Sequence, residues 1–302
     1  MNIVFFGTNN FALPALQPLA ENFNIVLAIT KPAKPSGRKQ AIAPTSVEVK
    51  AKQLGLDVIS PETFDNKIIG QINNLAPDLI VVVDYGKIIP QKILDIPTRG
   101  AINIHPSALP KYRGASPLQT TILNGEKETA ISIMLIDKEM DHGPILTQKK
   151  VSILADDTYG SLYTRLSQEY PKLLIETIKK YISGKIKPEK QNHKKATFTK
   201  ILKREDGRIN WNQSAIEIER MVRAYDPWPG TFCEHAGKRL KILTTSISSK
   251  NYLDKKPGQF FETPLKKLAV TCGKTSTLLI HKLQPEGKLP MTDRDFIRGY
   301  MK

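Results

Sequence analysis

The stretch Ala101-Ile102-Asn103-Ile104-His105-Pro106-Ser107-Ala108-Leu109-Pro110-Lys111-Tyr112-Arg113-Gly114 begins as a β-branched run and breaks at Pro106 into a loop. In a strand successive side chains alternate between faces, so Asn103 and His105 point one way while Ile102 and Ile104 point the other. A polar pair then sits at the carboxyl end of a strand. In open parallel α/β sheets the crevice outside those ends is where ligands bind. For an isolated Asn-x-His the plain reading is that both side chains satisfy local backbone groups, and the surrounding chain decides whether they do more.

Upstream, Asn2 to Phe6 is a compact apolar strand ending at Gly7, followed by the capping loop Thr8-Asn9-Asn10 and a helically spaced run from Phe11 to Leu19. GxGxxG is absent after Gly7, and the next acidic residue, Glu21, falls within or just after that helix, so the opening is not a dinucleotide fingerprint. Asn24 to Thr30 reads as a second strand, Ser46 to Leu54 as a helix closed by Gly55, and Leu56 to Ile59 as the next strand. Asn66 to Leu75 follows as a helix. Leu79 to Val83 is apolar enough to be a central strand buried on both faces, with Asp84-Tyr85-Gly86 at its end. Strands alternating with helices predict a parallel sheet. The connection from Lys31 to Pro44 exceeds the usual βα length. With three prolines, one glycine and Lys31, Lys34, Arg38 and Lys39, it suits an exposed arm that orders against phosphates, and equally a solvated basic loop.

Downstream, Pro117 to Leu123 reads as a helix, Asn124-Gly125 as a turn, and Thr129 to Ile136 as an alternating strand. The acidic turn Asp137 to Pro144 and a strand from Ile145 to Val151 follow, placing Asp141 in a loop able to return toward His105. Asp156-Asp157-Thr158 caps a long amphipathic helix, Tyr159 to Ser183, which Pro171 kinks or splits and Gly184 ends. Lys185 to Lys200, lysine-rich and poor in apolar residues, reads as a linker in which His193 is solvated. Beyond it, Ser214 to Ala224 is helical, Asp226-Pro227-Trp228-Pro229-Gly230 is a rigid turn with an aromatic anchor, and several short strands suggest a small β-barrel, OB-like or of another kind. The expected fold is α/β: a Rossmann-like N-terminal domain with a mostly parallel sheet over residues 1–184, a basic linker over 185–200, and a small C-terminal β-barrel over 201–302.

The length of 302 residues favours two domains, and 40% hydrophobic with 25% charged residues is ordinary for a globular protein. No long apolar run suggests a membrane span, and the N-terminus lacks the basic start and cleavage site of a signal peptide, so a cytoplasmic location is expected. Cys233 and Cys272 are the only cysteines and form no CxxC, which makes them reduced packing residues and excludes a disulfide framework or a thiolate metal site. The formal net charge is +16, of which only +3 falls in residues 1–150. A basic second half attached to a near-neutral first half points to a polyanionic partner, or simply to a soluble basic surface.

Histidine exchanges protons near neutrality, and a carboxylate within reach orients it and stabilises its charged form. An asparagine amide on the same face is a neutral donor of the kind that stabilises a developing oxyanion. Asn103, His105 and Asp141 together therefore point to chemistry at a carbonyl. With no GxSxG elbow, and Ser107 in a proline-bounded loop, direct transfer fits better than a serine-linked intermediate.

The Asn-x-His pair, the run Ser107 to Pro117 and Met140-Asp141-His142-Gly143 resemble the folate-dependent formyltransferases. The resemblance runs end to end, through Phe5-Phe6-Gly7-Thr8, Gly37-Arg38-Lys39, Tyr85-Gly86, Ala155 to Thr158, Ile209-Asn210-Trp211, Arg223 to Pro229 and Gly299-Tyr300, and is strongest to members that act on methionyl-tRNA. It implies that 10-formyltetrahydrofolate, as co-substrate and without a metal, gives a formyl group to the α-amino nitrogen of methionyl initiator tRNA for translation initiation. Asn103, His105 and Asp141 match the family's catalytic positions, while Ser107, Ala108, Leu109 and Pro110, with Tyr85 and Gly86, match its folate-binding positions. Lys34, Arg38 and Lys39 fall in the inserted loop that engages the acceptor stem, and the basic C-terminal domain would contact tRNA backbone. A monomer is the family expectation. Three positions depart from the pattern: Ala108 stands where leucine is usual, Asp84 where a small apolar residue is common, and the second glycine after Arg38 is missing. Two other readings are a formyltransferase acting on a small amine and a non-catalytic RNA-binding protein; the long basic loop, the charge of the second half and the C-terminal motifs favour tRNA as acceptor.

Overall fold

The computed structural model describes residues 1–36, 41–252 and 254–301, with residues 34–36 and 41–42 described by their backbone only. The chain forms two compact units: residues 1–114, 129–151 and 163–198 in one, residues 115–128, 152–162 and 199–302 in the other. Apart from a few end residues, the first unit holds β1 (Asn2–Gly7), β2 (Asn24–Ile29), β3 (Lys34–Ser36), β4 (Ala41–Ala43), β5 (Val58–Ile59), β6 (Leu79–Val83), β7 (Ala101–His105), β8 (Arg113–Gly114), β9 (Glu128–Leu135) and β10 (Ile145–Ser152). Its helices are α1 (Leu13–Asn22), α2 (Ser46–Gln53), α3 (Asn66–Asn74) and α4 (Gln91–Leu94); the second unit contributes α5 (Pro117–Leu123), and α6 (Tyr159–Ile182) follows.

The first unit's sheet runs β10-β9-β7-β6-β1-β2-β5. From β5 to β7 every neighbouring pair is parallel, as helical crossovers require. β9 then pairs antiparallel to β7, setting Ser132 opposite His105 and Met134 opposite Asn103. β6 is buried at all five positions, and Tyr85 joins Val4, Phe6, Leu27, Ile29 and Val82 in the core on one face. Gly7 is required by a close approach: a Cβ there would lie 2.8 Å from Ala12 Cβ and 2.7 Å from the Phe5 ring, so no side chain fits where the chain turns toward α1.

Several expectations change. β9 is buried from Thr129 to Met134 instead of alternating, because it is an internal strand between β7 and β10. Pro171 does not split α6: the helix is continuous, with Leu166, Tyr170, Leu174 and Ile178 buried at four-residue spacing, and this packed stripe outweighs the backbone hydrogen bond that proline cannot donate. The long connection after β2 is not loop throughout, since Lys34–Ser36 pairs antiparallel with Ala41–Ala43. Residues 185–198 are built into the first unit: Glu189 and Ile145 exchange backbone hydrogen bonds at 2.8 Å, Gln191 is buried, and β11 (Phe198–Thr199) pairs with β8.

The second unit continues with α7 (Ala215–Ala224), β12 (Thr231–His235), β13 (Lys238–Ile247), β14 (Phe260–Glu262), β15 (Leu268–Cys272), β16 (Ser276–Pro285), β17 (Met291–Thr292) and α8 (Asp293–Tyr300). Its strands form an antiparallel sheet of order β12-β13-β16-β15-β14, with β17 added to β16. α5 packs on α7, which draws residues 115–128 into this unit. Ser214 caps α7 in a reciprocal capping box with Glu217. Trp228 does not anchor its turn, being 51% exposed; the buried aromatic is Tyr225, whose carbonyl accepts from Gly230 N at 2.9 Å and closes the turn. Cys233 and Cys272 are buried free thiols, and burial pushes both up to about 12. Among the described residues no helix is long and apolar enough to cross a membrane.

Candidate active site

Alternation along β7 places Asn103 and His105 on one face, and the loop after β9 returns over it. His105 is 4% exposed. Its Nε2 lies 2.9 Å from the Tyr112 carbonyl oxygen. A carbonyl only accepts, so Nε2 carries the proton and donates it there. Nδ1 is thus the ring nitrogen left for exchange, and it faces Asp141 Oδ2 at 3.6 Å. Asn103 Nδ2 reaches Asp141 Oδ1 at 3.5 Å.

Asp141 has φ +50°, in the left-handed region. Its carboxylate is also held by Gly114 N, which donates to Oδ2 at 2.8 Å. Two residues on, Gly143 admits no side chain: a Cβ would stand 1.9 Å from the Leu135 carbonyl oxygen. The residues from Tyr112 to Gly114 therefore touch both halves of the pair, one by accepting from the imidazole, the other by donating to the carboxylate.

The loop from Ser107 to Tyr112 is knitted internally and to the sheet. Ser107 Oγ donates to the Lys111 carbonyl at 2.7 Å, Ser132 Oγ donates to the Ser107 carbonyl at 2.6 Å, and Gln148 Nε2 donates to the Leu109 carbonyl at 3.0 Å and to Ser132 Oγ at 2.8 Å. Ser107 and Leu109 are buried, whereas Ala108 and Pro110 are partly exposed and Lys111 is exposed. Tyr85 turns its ring into the core, packed edge-on against Phe6 at 5.2 Å, and burial pushes its hydroxyl up to about 12. Its carbonyl accepts from Thr8 Oγ1 at 3.0 Å, and Asn9 Nδ2 donates to Asp84 Oδ1 at 3.0 Å, so the ends of β1 and β6 are tied together. Asp84 has φ +48° and a carboxyl raised above the ordinary range by burial, against the lowering effects of Asn9 and Lys31.

Other residues at this edge were not singled out by sequence reasoning. Gln191, from the stretch read as linker, is buried and donates to the carbonyls of Asp141 at 2.9 Å and Gly143 at 2.8 Å. Arg113, also buried, donates to Gln191 Oε1 from Nη2 at 2.7 Å and Nε at 3.2 Å, and from Nη2 to His193 Nδ1 at 2.9 Å. His193 is exposed, as expected of it, but engaged: its ring stacks on His142 at 3.9 Å, and His142 Nδ1 contacts Asp137 Oδ2 at 2.6 Å. Partial desolvation, then His142 and Arg113, hold His193 below the ordinary histidine range. The only local signal was the pair of amides Gln191-Asn192 in an otherwise lysine-rich run. Lys34 lies on β3, while Arg38 and Lys39 lie outside the described residues. Among the described residues no group of three or more His, Cys, Asp or Glu side chains is placed to hold a metal.

A strand-end Asn and His thus face a loop carboxylate, on a mostly parallel sheet followed by a second unit with an antiparallel sheet. The chain belongs to the formyl transferases: residues 1–178 match the family's formyl transferase domain and residues 201–301 its C-terminal domain. Within that family it is similar to the methionyl-tRNA formyltransferase of Roseiflexus castenholzii, 42% identical over 99% of this chain and 96% of that one, and to that of Enterococcus faecalis, 39% identical over 98% and 95%. Among solved structures, HypX from Aquifex aeolicus in complex with tetrahydrofolic acid superposes with a TM-score of 0.63 at 16% identity. It matches 99% of this chain, which spans about half the length of HypX, 47%. An N-formyltransferase from Helicobacter canadensis in complex with folinic acid and dTDP-3-aminofucose superposes with a TM-score of 0.69 at 20% identity, over 94% and 98% of the two chains. At such identities the two structures speak for the fold alone.

Proposed function

We propose that this protein transfers the formyl group of 10-formyltetrahydrofolate to the α-amino group of methionyl initiator tRNA, giving N-formylmethionyl-tRNA for translation initiation. The observation that carries the reading is the convergence of Asn103, His105 and Asp141, drawn from β7 and the loop after β9, within 3.6 Å of one another through Asp141. The full-length likeness to methionyl-tRNA formyltransferases supports the choice of acceptor.

The neutral amine nitrogen attacks the formyl carbon. A new C–N bond forms as the carbonyl electrons move to oxygen, and Asn103 Nδ2 donates to that oxyanion. His105 Nδ1, on the Asp141 side, takes the proton shed by the amine; the carboxylate stabilises the resulting imidazolium. When the bond to N10 of the donor breaks, that proton returns to N10, so charge and protons balance without a covalent enzyme intermediate. Ala108 and Pro110 present the loop surface for the donor, with Tyr85 and Gly86 lining the neighbouring strand end. Lys34, Arg38, Lys39 and the basic second half engage tRNA phosphates. The enzyme works in the cytoplasm as a monomer.

Purified protein incubated with 10-formyltetrahydrofolate and methionyl initiator tRNA should yield formylmethionyl-tRNA, with no transfer to uncharged tRNA. An unmodified methionyl amine under those conditions, or transfer to an amino-sugar nucleotide instead, overturns the reading.

A further inference from the structure

We infer that Gln191 is a positioning residue for Asp141, acting as one link of a closed hydrogen-bonded ring that fixes both ends of that aspartate; this rests on the catalytic role proposed for Asp141. Starting at the carboxylate, Oδ2 of Asp141 accepts from Gly114 N at 2.8 Å. Gly114 is covalently joined to Arg113, whose guanidinium donates twice to Gln191 Oε1. The other end of the same amide, Nε2, donates to the Asp141 carbonyl at 2.9 Å and closes the ring. The second Nε2 hydrogen goes to the Gly143 carbonyl at 2.8 Å.

The amide orientation is dictated by its neighbours. A guanidinium has donors only and a carbonyl acceptors only, so the oxygen of Gln191 must face Arg113 and its nitrogen the loop. No other side chain of this size offers an acceptor at one edge and two donors at the other. Both Gln191 and Arg113 are buried, 6% and 3% exposed, so water does not replace a lost link cheaply. The ring bears on chemistry because Asp141 holds a left-handed backbone conformation, φ +50°, and its carboxylate is the partner of His105. Pinning the carbonyl and the carboxylate of one residue together removes the rotation that would carry Oδ2 away from the imidazole.

Gln191→Glu tests the link directly, since it keeps an oxygen for Arg113 but turns a second oxygen toward two carbonyls. Gln191→Met removes every polar contact at similar volume and serves as the second variant. We expect kcat to fall about tenfold or more in both, with KM for donor and methionyl-tRNA within about threefold of the parent. In an Asp141→Asn background, adding Gln191→Glu should change kcat by less than about twofold, because the group it positions is already gone. Losses that multiply in that double variant, or an unchanged kcat in the single ones, overturn the inference. Hydrogen exchange reads the same link without turnover. The Gly114 amide should exchange about tenfold faster in both variants, while amides of α6 keep their protection. Unaltered Gly114 exchange sinks the clamp even if the parent protein proves inactive on methionyl-tRNA, which would refute only the proposed reaction.

Discussion

The backbone amide of Gly114 donates to Asp141 Oδ2 at 2.8 Å across 27 positions of sequence, and the same oxygen faces His105 Nδ1 at 3.6 Å. One carboxylate oxygen thus meets both the imidazole and a backbone donor. Asp141→Asn keeps an oxygen for Gly114 but loses the charge that favours imidazolium. Turnover should fall by about 100-fold with tRNA affinity within about threefold, measured by single-turnover kinetics and filter binding. An active Asp141→Asn variant would remove the carboxylate from the mechanism.

In the proposed reaction His105 serves the chemistry and the basic arm the acceptor, and two substitutions separate these roles. His105→Ala is expected to lower turnover by a factor on the order of 100 to 10,000 while sparing tRNA binding. Arg38→Ala should instead weaken use of tRNA and leave transfer at saturating tRNA largely intact. Equal loss of tRNA binding in the two variants would contradict the division.

Ser132 lies opposite His105 across the antiparallel pair and holds the loop after β7, the proposed donor-binding loop, through the Ser107 carbonyl at 2.6 Å. Ser132→Ala takes that partner from a fully buried residue and leaves Gln148 short of one acceptor. Stability should drop by about 1–3 kcal/mol, and KM for the formyl donor should rise with kcat less affected. Thermal melts and donor titrations check both. A variant with the parent's KM would show that the loop does not depend on this contact.

Gly143 is confined by the Leu135 carbonyl oxygen, 1.9 Å from where a Cβ would stand. Gly143→Ala must displace backbone at the base of the Asp141 loop, so activity and melting temperature should fall together. An alanine variant with the parent's kinetics would mean that the loop moves freely without consequence for Asp141.

Burial raises the Asp84 carboxyl above its ordinary value, so the folded chain binds that proton more tightly than the unfolded chain. Stability from this group therefore declines as pH rises from the ordinary carboxylate value through the raised one, the reverse of a salt-bridged aspartate. Asp84→Asn keeps an acceptor for Asn9 and suits φ +48°. It should raise the melting temperature at pH 7, with the gain vanishing in acid where both forms are neutral. A gain that persists unchanged into acid would refute this origin.

The alternation of strands and helices, the doubly buried β6 and the polar face of β7 were legible because each is a local pattern: period, apolar run, proline break. The same locality explains what was misread. Residues 185–198 look like linker by composition, yet the backbone pairing of Glu189 with Ile145 and the burial of Gln191 are long-range facts with no local periodicity. Trp228, the expected aromatic anchor of its turn, is exposed, whereas Tyr225, three residues earlier, fills the buried position.

By itself the sequence determined the α/β class and the shared face of Asn103 and His105 on one strand, and, through its motifs, the resemblance to the family. Side-chain alternation fixes which face a strand residue takes, and that needs no partner strand. Only the tertiary structure decided that Nδ1 and not Nε2 of His105 is the exchangeable nitrogen, because the Tyr112 carbonyl claims the other. It also decided that Asp141 is held at both ends by Gly114 and Gln191. A hydrogen bond between groups 27 or 50 residues apart depends on where the fold brings them, and no spacing along the chain encodes that.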